Sequence, residues 1–366
     1  MSSENEVPAT VTPGVFDTWR SPRRGGKNPE SSSNPLWDWL IRTRLSAFCA
    51  NDMLNGPSAF DEGPTWCFDR FGQSETQLAD GRTVWIAGEH EDFYDPDFYI
   101  YNDIVVMEPS GETQVFIYPT TAFPPTDFHS ATAVGDKIIL IGNLGYLSER
   151  HVGQTQVLVV DTRDWSVCPI QTNGPAPGWL HRHTAELQDG ASILVSGGKL
   201  FRGEKVGLVE SIDDWAFHLE EWRWERLTDR QWPRFEFQRE DTGRNHLWDI
   251  RNALWSRNFK QSDLDEQLLK LRKELKGEPA LDAFPQLYAP PLLHETLPEC
   301  EDDDEYGIHR IVIDGVVVRF SDDNYSVQMT VEGQLAQEKI EQVRKHVLDT
   351  FSVLERHPIS CSPLCS

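Results

Sequence analysis

Basic residues are scarce in this 366-residue chain: 34 Lys and Arg stand against 59 Asp and Glu, for a formal charge of −25. A general nucleic-acid binder draws its affinity from cations that neutralise phosphates, so nucleic acid is not the expected partner. Long apolar runs are missing as well. None approaches the roughly 18 residues that span a bilayer, so no membrane role is expected. No basic segment followed by an apolar one appears in the opening MSSENEVPAT, so no secretory signal is read. The six cysteines are Cys49, Cys67, Cys168, Cys300, Cys361 and Cys365, without a C-x-x-C pair. That spacing supplies no zinc framework and points to free thiols in a reducing cytoplasm. Phosphate-binding glycine loops, the G-x-S-x-G nucleophile elbow and H-E-x-x-H are all absent.

Aromatic residues, by contrast, are plentiful. With 13 Trp and 18 Phe, most of the chain can bury a core. Residues 1–33 are rich in Ser, Pro, Glu and Gly and read as a mobile arm. Asn34-Pro35 is a helix-start signal, and Trp37, Leu40, Ile41, Leu45 and Phe48 follow at helical spacing, so 34–72 reads as a helix and a loop.

Residues 73–237 read as β. Three segments align on a glycine: SETQLADGRTVWIAG, HSATAVGDKIILIG and HTAELQDGASILVSGG. Their glycines, Gly88, Gly142 and Gly197, lie 54 and 55 residues apart. Two of the segments open with His129 and His183, and Ser74 holds that place in the first. Each carries a turn (Asp80-Gly81, Gly135-Asp136 or Asp189-Gly190) before its strand. Further strands follow at Tyr101–Met107, Gln156–Asp161 and Val209–Trp215.

This pattern resembles the kelch repeat, a four-stranded propeller blade. Only Gly197-Gly198 is a true diglycine; the other repeats have Gly88-Glu89 and Gly142-Asn143. The resemblance implies a mainly β fold: a partial kelch-like propeller of about three blades, with flanking helices and a small C-terminal βββα domain. Three blades leave an open edge, to be closed either within the chain or by a homodimer that completes a six-blade ring. Trp215, Trp222, Trp224 and Trp232 are expected in core and inter-blade packing. The resemblance also implies an inter-blade hydrogen bond for His129 and His183.

Beyond the repeats, 238–298 reads as helices and a Pro-rich connector, and 299–305 as an acidic linker. In 306–358, Asp314-Gly315 joins two strands, a third strand follows, and Leu335, Ile340, Val343, Val347, Phe351 and Leu354 line a helix. The tail after His357 reads as loose.

Loops on a rigid scaffold are where function concentrates. Tyr94, Tyr146, Arg150, Trp179, Phe201 and Arg202 are expected to contact a protein partner, because Tyr, Trp and Arg make good anchors. Glu89, His90, Asp92, Asp127, His129 and His181 form an alternative divalent-metal set of carboxylates and imidazoles. No catalytic residue or cofactor is assigned. The chain therefore reads as a non-enzymatic interaction module or adaptor. A metal-dependent enzyme and an acidic immunity or nucleic-acid-mimic protein stand as alternatives.

Overall fold

The computed structural model describes residues 6–58, 63–90, 98–297 and 308–364. Tyr94, Asp92 and the acidic linker lie outside these residues. Among the described residues the fold is mainly β, with five antiparallel sheets, none of them closed, and the chain divides into two compact units at Arg230. Among the described residues no helix is long and apolar enough to cross a membrane.

In the first unit, three successive sheets have the same build. The first runs Ser74–Gln77, Thr83–Ile86, Asp103–Met107 and Thr113–Ile117; the second Ser130–Val134, Lys137–Ile141, Val157–Asp161 and Val167–Pro169; the third Thr184–Gln188, Ser192–Ser196, Trp215–His218 and Arg223–Arg226. Alternation of side chains gives each sheet two faces. Val84, Ile86, Ile104 and Val106 of the first sheet pack on Ile138, Leu140, Leu158 and Val160 of the second. The opposite face of the second, with Ile139, Ile141, Val157 and Val159, packs on Ile193, Val195, Trp215, Phe217 and Trp224 of the third.

The outer face of the first sheet is covered by helices. Asn34 Oδ1 accepts the Trp37 N–H, and Pro35 supplies the first helical residue of α2 (Pro35–Thr43). The single helix expected here is interrupted: Arg44 is left-handed at φ 51°, and Ser46 caps a separate helix, α3 (Ala47–Met53). The segment read as a mobile arm differs from that expectation. It holds a helix at Pro13–Trp19 (α1 in chain order), capped by Thr12, and a strand at Glu30–Ser31 that pairs with Phe116–Ile117. Phe16 and Val11 are buried in the same cluster as Trp37, Leu40 and Trp66, and that burial fixes the segment.

The second unit has one six-stranded sheet in the order Glu295–Thr296, Ile308–Ile313, Val316–Asp322, Ser326–Val331, Arg234–Arg239 and Ile359–Pro363. Asp314 and Gly315 turn the hairpin with φ values of 52° and 79°, the backbone such a two-residue turn requires. Helices α4 (Leu247–Phe259), α5 (Leu264–Glu274) and α6 (Gln337–Glu355) share one core with the sheet, in which Val343, Val347 and Phe351 meet Ile313, Phe320 and Met329. The tail is ordered rather than loose: Ile359–Pro363 pairs with Arg234–Arg239, placing Cys361 opposite Phe237.

Candidate functional site

The first strands of the three sheets pack side by side. Each runs away from one common end, turns, and sends its second strand back, so the loops after Ile86, Ile141 and Ser196 emerge together. Backbone bonds join these loops to neighbouring segments. Gly88 N–H donates to the Thr126 carbonyl (2.9 Å), Asn143 N–H to Leu180 (2.8 Å) and Arg182 N–H to Phe128 (2.8 Å). Such approaches exclude side chains at two of the motif glycines. A Cβ on Gly142 would lie 2.4 Å from the Leu180 oxygen, and one on Gly198 would lie 2.4 Å from the His181 oxygen.

Histidines bridge the sheets. His129 Nε2 lies 2.8 Å from Ser74 Oγ, and His183 Nε2 lies 2.8 Å from Ser130 Oγ. Burial lowers the pKa of His129 to about 4. It takes His183 to about 3, with a smaller contribution from His129. Both rings are therefore neutral links at pH 7.

At the shared end, charges of both signs meet around Asp127. Its Oδ1 accepts the Gly145 N–H at 2.6 Å, and its backbone N–H donates to Asn143 Oδ1 at 3.0 Å. Burial raises the Asp127 carboxyl above the usual range, while the Gly145 N–H, Glu89, Arg150 and Arg182 oppose that rise. Arg150 donates through Nε to the Leu144 carbonyl and through Nη2 to that of Gly145. Arg182 stacks 3.5 Å from the centre of the Phe128 ring.

The residues expected to contact a partner fall into three groups. Arg202 is exposed. Tyr146 and Arg150 are half-buried; Tyr146 Oη accepts the Ile100 N–H, and Arg150 lies 5.6 Å over Phe201. Trp179 and Phe201 are buried and support the loops from beneath, with Trp179 Nε1 donating to the Leu144 carbonyl.

The alternative metal set is spread among different duties. His129 is bonded to Ser74. His90 is buried with its Nδ1 at 3.0 Å from Cys67 Sγ and 3.1 Å from Tyr101 Oη. His181 is fully buried, with neither ring nitrogen hydrogen-bonded. Among the described residues no group of three His, Cys, Asp or Glu is arranged to hold a metal ion.

Two features had no signal in the sequence. One is the Cys67–His90 contact, whose partners are 23 residues apart with no shared period. The other is a cleft of about 480 Å³ beside the shared loop end, in the size range of ligand sites. Pro124, Pro125, Ile170 and Trp179 supply its apolar wall, and Glu149, His151 and Gln154 stand among its polar lining. His151 meets Trp179 edge-on at 5.8 Å.

No family model matches the chain. A solved structure titled "Structure of YjhT" is similar to it at 14% identity, with a TM-score of 0.34, over 44% of this chain and 56% of that one.

Proposed function

We propose that the first unit is a partial kelch-like propeller of three blades, serving as a non-enzymatic platform for a protein partner that docks on the common loop end. The observation that carries this reading is the gathering of Glu89, Gly145, Arg150 and Arg182, from three segments, around Asp127 near the 480 Å³ cleft. The polar groups there are engaged in holding loops: the carboxylate takes a backbone N–H, and Arg150 takes two carbonyls. That arrangement suits a rigid recognition surface on which exposed Arg202 and the cleft rim are the contact points.

Closure within the chain fits better than a ring completed by a second copy. Helices α1 to α3 cover one outer face of the sheet stack, and the other outer face carries Glu186, His218, Arg223 and Glu225 around Leu194 and Ala216. Sedimentation at micromolar concentration should give a single species of 41.9 kDa. A 1:1 self-associated particle would restore the homodimer.

The platform itself is tested by site-specific photo-cross-linking in the native cell, with benzoylphenylalanine replacing Arg202, Gln154 or, at the opposite end, Gln188. One partner captured from Arg202 and Gln154 but not from Gln188 supports the reading. Capture from Gln188 alone defeats it.

A further inference from the structure

We infer that the loop end receives an oxyanion, the carboxylate of a docking partner or a small phosphate, at the imidazole of His181 beneath the loop 143–156. The inference rests on the platform reading above and specifies what it recognises. His181 has no exposed surface and neither ring nitrogen has a partner, whereas His129 and His183, also buried, each bond a serine. A buried polar group left unsatisfied costs about 1–3 kcal/mol. A neutral imidazole carries one donor and one acceptor, so His181 holds an unused N–H in either tautomer.

The surroundings select the ligand's charge. In the strand Trp179–His181, Leu180 points into the apolar core between the sheets, so Trp179 and His181 share the opposite face. Antiparallel pairing sets Phe201 opposite Trp179 and Lys199 opposite His181. Arg182 is next in the chain, and Arg150 lies over Phe201. Burial chiefly, and then Arg182, Lys199 and Arg150, hold the imidazole well below its ordinary pKa. Cations on three separate segments thus act on a neutral N–H donor. A divalent metal would be repelled there, and a carboxylate or phosphate would be attracted. Glu210 sits opposite Lys199 on the next strand, and Asp127 and Glu89 act on Arg150, so an incoming anion competes with internal ones. Millimolar affinity for a simple ion is the consequence.

A route in is also present. Trp179, two residues from His181 on the same strand face, forms part of the cleft wall. The covering loop carries left-handed glycines near its two ends, Gly145 (φ 65°) and Gly153 (φ 80°), and between them Leu147 and Val152 are more than half exposed. Its ends are held firmly, by Asn143 to Leu180, Leu144 to Asp127 and Trp179, and Thr155 to Gly178, whereas between the two glycines its links to other segments among the described residues are Gly145 to Asp127, Tyr146 to Ile100, Arg150 over Phe201 and His151 against Trp179. Pivoting at the glycines would open the face without disturbing the sheets.

The test is nitrogen NMR of the full chain labelled in histidine, at pH 7, titrated with inorganic phosphate and separately with acetate against sodium chloride of matched ionic strength. A saturable shift of the His181 nitrogens with either oxyanion, with His129 and His183 unmoved and apparent affinity about tenfold weaker in Lys199→Met, is the expected result. Response to both ions fits a carboxylate-bearing partner; response to phosphate alone fits a small phosphorylated ligand. Unmoved His181 signals, or equal shifts with chloride, would overturn the inference and leave ordered water as the only partner of that ring. Melting of Lys199→Met beside the parent separates lost binding from lost folding, and Arg150→Gln gives an independent second variant. Cross-linking from Arg202 without a His181 response ends the oxyanion site alone. A His181 response without cross-linking keeps the site and ends the partner reading.

Discussion

The two outer faces of the three-sheet stack are closed by opposite means. On the first sheet, Trp85, Val105, Val115 and Ile117 point outward into a cluster with Trp37, Leu40, Ile41, Trp66 and Phe68. Trp37 and Trp66 stack there at 4.9 Å, and Trp37 Nε1 donates to the Trp19 carbonyl. On the third sheet, the residues facing outward are Glu186, Leu194, Ala216, His218, Arg223 and Glu225, joined in cross-strand register. His218 pairs with Glu225 at 2.9 Å, and Arg223 with Glu221 at 2.7 Å. One end buries its face under helices; the other sets charged side chains around Leu194 and Ala216, and a face rich in charge gains little from a further sheet.

Acid should strain this arrangement most, and it should act at the joints between the ends. The pKa values of His129 and His183 are lowered in the folded chain, to about 4 and about 3, so the unfolded chain binds protons first as pH falls. Their contribution to stability is complete above about pH 6.5. It declines through the window from there to pH 4 or 3, by roughly 1.4 kcal/mol per pH unit for each histidine. His181 adds to the loss in the same direction. Urea unfolding of the first unit should show a much lower midpoint at pH 5 than at pH 7. Equal midpoints would mean that these joints are already open in the folded chain.

The helical end comes next. Trp37→Ala removes a side chain with no exposed surface from the cluster that covers the first sheet. Such a deletion costs about 3–5 kcal/mol, readable as a shift in the urea midpoint. A loss below about 1 kcal/mol would show that the helices rest on the sheet without supporting it. Smaller again is Ser130→Ala, which takes from His183 the hydrogen-bond partner of its Nε2. A loss of about 1–3 kcal/mol is expected, matched by Ser74→Ala at the other joint, where His129 is affected. Unequal effects would show that the two joints are not equivalent.

Much of this comparison could be read from residues alone, where local chemistry decided the outcome. The alternating strands, the Asp-Gly turns and the motif glycines are local signals, and the first strands do begin at Ser74, Ser130 and Thr184. Trp215 and Trp224 are buried as core, and Trp222 packs beside them. Other parts have no local signature. Residues 13–31 carry few apolar positions, and their order comes from distant contacts: Trp66 N–H to the Arg20 carbonyl and Gly25 N–H to that of Tyr118. The tail His-Pro-Ile-Ser-Cys-Ser-Pro lacks strand character of its own and is held as an edge by Arg234–Arg239. At the loop end, the sequence supplied Asp127, Arg150 and His181 as separate residues. It could not show that a loop from one repeat lies over a strand from the next, because that depends on sheet stacking.

The smallest effect belongs to the polar end, and it bears most directly on how the stack terminates. Glu225→Gln removes the charge that faces His218 and Arg223 on the outer face of the third sheet. Exposed ion pairs gain little, because water and salt screen them and two side chains must be immobilised. The variant should therefore unfold at the same urea concentration as the parent, and raised salt should leave both unchanged. If the pairs were instead holding the third sheet together, the midpoint would fall and the fall would shrink in salt. If the face were covered by an unrecognised apolar partner, the uncharged side chain would strengthen self-association, and light scattering would register a larger particle. An unchanged midpoint with an unchanged particle size would leave only the reading in which polarity itself, rather than any specific pair, prevents a fourth layer from adding.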